Sequence, residues 1–136
     1  MHNLQRLVGL IRQNLEKVRS FKPDPKADLD EVEADQALLA MATQLRKLDN
    51  ELGLNEALLE EGFPPLGFVI QANGEREDLY FRDMTNKIMH ASRYEWRVGD
   101  GLVVTCISED KDRWQSAEID VATLDGLCDR ASLAVL

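Results

Sequence analysis

Residues 3–20 set Leu4, Leu7, Val8, Ile11, Leu15 and Val18 three and four apart, the spacing that gathers apolar side chains on one face of a helix. That helix should stop before Phe21–Lys26, because Pro23 and Pro25 cannot continue it and restrict the residues that precede them, leaving a rigid connector. A second helix is expected from about 29 to 52, with Asp28 as its N-cap, Glu31 placed to complete a capping box, and Gly53 as its stop. Along it Leu38, Met41, Leu45, Leu48 and Leu52 repeat at alternating spacings of three and four. So narrow a seam fits first the core of an intramolecular bundle, packed against the first helix, and otherwise an interface with a second copy or a partner helix. Asn55 can cap a short helix running through Glu61 and closed by Gly62.

Prolines and glycines then interrupt the pattern, and residues 63–78 read as a loop with at most a short extended segment at Leu66–Gln71. A helix over 78–92 follows, its apolar stripe made of Phe81, Met84, Ile88 and Ala91. Beyond it the period shortens: 94–98, 102–108 and 114–121 read as three strands joined by tight turns, the last with Ala117, Ile119 and Val121 on one face. Trp96 and Trp114 are expected as a cross-strand pair, or as a stacking platform if exposed. Asp120 or Thr123 can cap a final helix over 122–132. The fold class expected is α+β, mainly α: one domain over 1–136, with a helical bundle in 1–92, a three-stranded antiparallel meander in 94–121 and a short terminal helix.

Charge adds a constraint on partners. The net charge is −9, which repels phosphate backbones and argues against a DNA-binding role, yet residues 1–26 carry +4 and residues 27–62 carry −8, so the first two helices should attract one another. Two isolated cysteines, Cys106 and Cys128, and only two histidines give no metal-ligand spacing, and neither a metal nor a cofactor is expected. Arg6 and Arg12 break the N-terminal apolar run, and no stretch is long and apolar enough to span a membrane, so a cytoplasmic protein without a membrane partner is expected.

Candidate chemistry concentrates in 78–93. Arg82, Asn86 and His90 fall at i, i+4 and i+8, a cation, an amide and an imidazole on the helix face opposite the apolar stripe. The same residues also have ordinary roles: Arg82 can pair with Asp78, Asp83 with Lys87, and His90 can cap the helix end or pack against the strands.

The segment TNKIMHA, Thr85–Ala91, resembles the signature helix of the HEPN superfamily, in which an arginine, a polar residue that is often asparagine and, after three intervening residues, a histidine share one helix. Asn86 and His90 match it; Thr85 stands at the usual arginine position and Arg82 lies a turn earlier. What the resemblance implies is a helical dimer of a bacterial or phage-related toxin–antitoxin or defence system. Such a dimer would serve as a non-catalytic or weakly catalytic module binding a protein partner. If active, it would be a metal-independent endoribonuclease with His90 as acid and base, Arg82 on phosphate and Asn86 orienting both. RNA is a partner only in that case, and a purely structural oligomeriser is the remaining alternative.

Overall fold

A computed structural model describes residues 2–24 and 28–135. Pro25 and Lys26 of the connector, and the side chain of Asp28 read as a cap, lie outside the described residues. The order of elements is α1 (His2–Arg19), α2 (Asp28–Leu52), α3 (Leu54–Glu61), β1 (Gly67–Gln71), β2 (Arg76–Leu79), α4 (Phe81–Met89), β3 (Ala91–Val98), β4 (Leu102–Ser108), β5 (Trp114–Asp120) and α5 (Val121–Leu133). The class is α+β, but the expected three strands are five, paired antiparallel in the order β2-β1-β5-β4-β3.

The two additional strands come from the stretch read as loop and helix start. Asn73 and Gly74 turn the chain: the Asn73 carboxamide accepts the Glu75 N–H at 3.0 Å, Gln71 N–H reaches Glu75 O at 2.8 Å, and Gly74 takes a φ of 88° that a side chain would resist. Residues 76–79 therefore return along β1, with Phe68 opposite Asp78 and Val69 opposite Glu77, instead of starting a helix. Leu66 N–H donates to Leu79 O at 2.7 Å, and Leu66 O accepts from Asp120 N–H at 2.8 Å, which fastens this hairpin to the end of β5. At Gly67 the contact is closest: a Cβ there would lie 1.9 Å from the Glu118 carbonyl oxygen, so β1 approaches β5 only because this residue has none.

Alternation decides which face of the sheet is covered. Val104, Cys106, Ala117 and Ile119 are buried against the helices, while Thr105, Ser116 and Glu118 are half-buried on the opposite face. Two layers result, helices on one side and solvent on the other. The seam residues Leu38, Met41, Leu45 and Leu48 are each 0 % exposed and belong to one hydrophobic core with Ile11, Val18, Met84 and Ile88; Leu52 packs half-buried against it. They are not available as an interface, because the chain's own helices and sheet already remove them from water, at about 1.5–3 kcal/mol per large aliphatic side chain. The charge asymmetry is met differently from the expectation as well. Lys17 reaches Glu33 on α2 at 3.7 Å, but Arg12 and Arg19 turn to α5, pairing with Asp129 at 3.2 Å and Asp125 at 3.4 Å.

The tryptophans do not form a pair: β4 separates their strands. Trp96 meets Phe21 edge to face with centroids 5.3 Å apart and donates its indole N–H to Asp35 at 2.7 Å. Trp114 is buried beneath the Lys87 ammonium, 5.1 Å from the ring centroid. The terminal helix starts where expected, with the Asp120 carboxylate accepting the Thr123 N–H at 3.2 Å.

Candidate functional site

The helix expected over 78–92 is shorter at both ends, Phe81–Met89, and its first turn is built into a joint between three helices. Neither Gly53 before α3 nor Tyr80 before α4 offers a capping side chain, and each helix is instead capped from the helix preceding it in the chain. Asp49 of α2 accepts the Asn55 N–H of α3 at 2.8 Å. Asn55 does not cap its own helix: its carboxamide oxygen accepts the Arg82 N–H of α4 at 3.2 Å. Arg82 closes the circuit, its guanidinium reaching the second Asp49 oxygen at 2.8 Å from Nη2 and 3.3 Å from Nε. Asp49 is only 3 % exposed, so its charge is tolerated through these bonds. The hydrogen bond to Asp49 raises the Arg82 pKa further. Arg82 therefore pairs with Asp49, not with Asp78, and serves to fix α4 against α2.

One turn on, a different arginine meets the candidate residues. Arg46 of α2 donates from Nη1 to the Asn86 carboxamide oxygen and, at 3.5 Å, to the hydroxyl of Thr85; its Nε is buried without a partner. Thr85, at the position where the HEPN signature carries arginine, is 0 % exposed and bonds back to Arg82 O at 2.8 Å, so the site has room for a small hydroxyl side chain turned inward. With its oxygen held by Arg46, Asn86 keeps its Nδ2 as a free donor. His90 is the residue after the last turn: its N–H caps onto Asn86 O at 3.0 Å, and its exposed ring has no hydrogen-bond partner among the described residues.

Asn86, Lys87 and His90 form one wall of a cleft of about 600 Å³; Ser108, Asp110 and Arg113, around the β4–β5 turn, form the other. The turn is held by local bonds, Asp110 N–H to the Ser108 hydroxyl and Asp112 N–H to the Asp110 carboxylate, both at 3.0 Å. Lys87 is tied to Asp83 at 3.0 Å, the i,i+4 pair expected on this helix. No family model, curated protein or solved structure matches the chain.

Of the three candidate residues, then, Asn86 and His90 share the cleft and Arg82 stands outside it. Arg46 and Arg113 were not read as site residues from sequence, and Lys87 only as the partner of Asp83; the acidic background of 27–62 hides Arg46, and only the fold brings the turn at 109–113 to α4. The cleft offers donors, yet Glu109 and Asp110 on its rim balance Lys87 and Arg113, so no single charge sign dominates it. Elsewhere the chemistry is muted. Burial pushes both Cys106 and Cys128 up to about 12, which keeps them as thiols, and no cluster of three or more metal-ligating side chains occurs among the described residues. No helix among those residues is long and apolar enough to cross a membrane.

Proposed function

We propose that this chain is a non-catalytic interaction module that self-associates, working in the cytoplasm of a bacterial or phage-related system in the HEPN-like manner suggested by Thr85–Ala91. The observation that carries this reading is the commitment of Arg82 to buried Asp49 outside the cleft, which separates the cation of the turn-spaced trio from Asn86 and His90. Cytoplasmic placement agrees with two free, buried thiols. The test combines RNA incubation in EDTA with sedimentation of the same sample. Wild type and His90→Ala should leave RNA equally intact while the wild type self-associates; cleavage lost in His90→Ala would overturn the non-catalytic reading, and a monomer at all concentrations would overturn the association.

The endoribonuclease reading has one observation in its favour: the unpartnered His90 ring shares its cleft with Lys87 and Arg113. In that reading His90 moves the proton and Arg113 takes over the phosphate contact expected of Arg82. The EDTA assay distinguishes the two.

A further inference from the structure

A five-stranded sheet has two edges, and here they are built differently. β2 spans four residues, three of them charged (Arg76, Glu77 and Asp78), a short and polar edge of the kind that discourages pairing. β3 spans eight residues and, among the described residues, pairs only with β4. No backbone hydrogen bond joins its outer side to another element among the described residues. Its open-face side chains, Arg93, Glu95 and Arg97, alternate in sign instead of sharing one. Charge on an edge discourages pairing in general, but alternating signs on one face repel a second strand in some registers and attract it in others, and β3, unlike the four-residue β2, is long enough to offer such a register. Antiparallel self-pairing centred on Glu95 would set Arg93 against Arg97 and glutamate against glutamate. Centred on Trp96, it sets Glu95 opposite the second copy's Arg97 twice, with Tyr94 beside Val98. Val98 is 68 % exposed, an aliphatic side chain at the strand end with nothing over it. This register also avoids the irregularity between Ala91 and Arg93.

We infer that the occupant of the β3 edge is a second copy of this chain, paired antiparallel about a two-fold axis at Trp96, so that two five-stranded sheets become one continuous sheet. The inference rests on the proposed self-association and supplies its surface. Arg97 already holds Glu118 of its own chain, and a guanidinium with five donors can hold the second carboxylate too. One strand pair buries less than the roughly 1,200 Å² of a standard interface, so the dimer belongs with the weak, concentration-dependent associations.

Disulfide trapping tests it, because both native thiols are buried, Cys106 at 0 % and Cys128 at 1 % exposure, and stay silent. Directly opposed residues have Cβ atoms about 4.5–5.5 Å apart and diagonal ones about 7–8 Å, beyond disulfide reach. Glu95→Cys mixed with Arg97→Cys should therefore give a covalent heterodimer, whereas either variant alone gives none. Charge reversal by Glu95→Arg should weaken sedimentation-detected association about tenfold. A wild type that dimerises while the Glu95→Cys and Arg97→Cys mixture stays uncoupled, or while Arg93→Cys couples to Glu95→Cys instead, overturns this surface and leaves the proposed function standing. A wild type that remains monomeric up to the highest concentration at which it stays in solution overturns both.

Discussion

Replacing Asp49 with alanine should be among the most damaging single polar changes in this protein, and the structure says how the cost divides. The carboxylate is 3 % exposed and has three bonds: Asn55 N–H at 2.8 Å to one oxygen, Arg82 Nη2 at 2.8 Å and Nε at 3.3 Å to the other. Asn55 is itself 9 % exposed, so its N–H, released in the second position of α3, cannot recover a water molecule freely; an orphaned buried donor costs about 1–3 kcal/mol. The Arg82 side chain is 50 % exposed and can rehydrate, so its bond adds little. Asp49→Ala should therefore cost about 1–3 kcal/mol in urea unfolding, as a lower midpoint at unchanged slope, and Asp49→Asn, which keeps an oxygen for Asn55 N–H, less than half of that. At this chain length about 2 kcal/mol is roughly a 6–10 °C fall in Tm. If Asp49→Ala unfolds within about 0.5 kcal/mol of wild type, the scale of an ordinary surface change, the three-helix circuit is incidental.

Two further outcomes follow from backbone and burial. Gly67→Ala should cost more than about 3 kcal/mol, since its Cβ would sit 1.9 Å from Glu118 O at a φ of 155°, whereas Gly62→Ala, at a φ of 70° with open space around it, should cost only about 1–2 kcal/mol; amide exchange would show the Gly67 loss confined to β1 and β2. Burial raises the Asp35 pKa against the lowering effect of the Trp96 indole bond, so the folded state holds the proton more tightly than the unfolded chain. The stability this brings is complete below the unfolded carboxylate value and is lost as pH rises through the higher folded value. Asp35→Asn, which keeps an acceptor for the indole, should therefore gain on wild type as pH rises above the ordinary carboxylate value, in paired unfolding titrations followed by tryptophan fluorescence.

Much of the architecture was legible where side-chain period and burial coincide. The 3-4 stripe of α2 and the inward pair Ala117 and Ile119 appear as read, and of the two capping candidates Asp120 is the one used; Val121, read with the strand, is buried as the first residue of α5. The hairpin of β1 and β2 was not, although Asn73-Gly74 announced its turn, because Arg76, Glu77 and Asp78 lie on an exposed edge and carry no alternation to betray a strand. The helix start at 78 failed for the same reason: Asp78 and Leu79 gain ladder bonds to β1 that outweigh local helical preference. Caps failed in another way. Asp49 and Asn55 cap helices that they do not begin, six and twenty-seven residues from the donors they serve, and no local motif encodes a partner at such separations.

That misplacement bears directly on the site. Arg82, Asn86 and His90 follow one turn-spaced row, but α2 packs along only part of it, so Asp49 takes the first residue, Arg46 orients the second, and the third passes beyond the helix end. A row of equal spacing is thus divided by its neighbour into a joint, a positioned amide and a free ring. Whatever binds in the cleft therefore meets Asn86 Nδ2 and the imidazole first, with Lys87 and Arg113 beside them, while changes at Arg82 act through the packing of α4 on α2. The two ends of this nine-residue helix should accordingly respond to substitution in different observables: the first in unfolding midpoints, the second in binding with the fold unchanged.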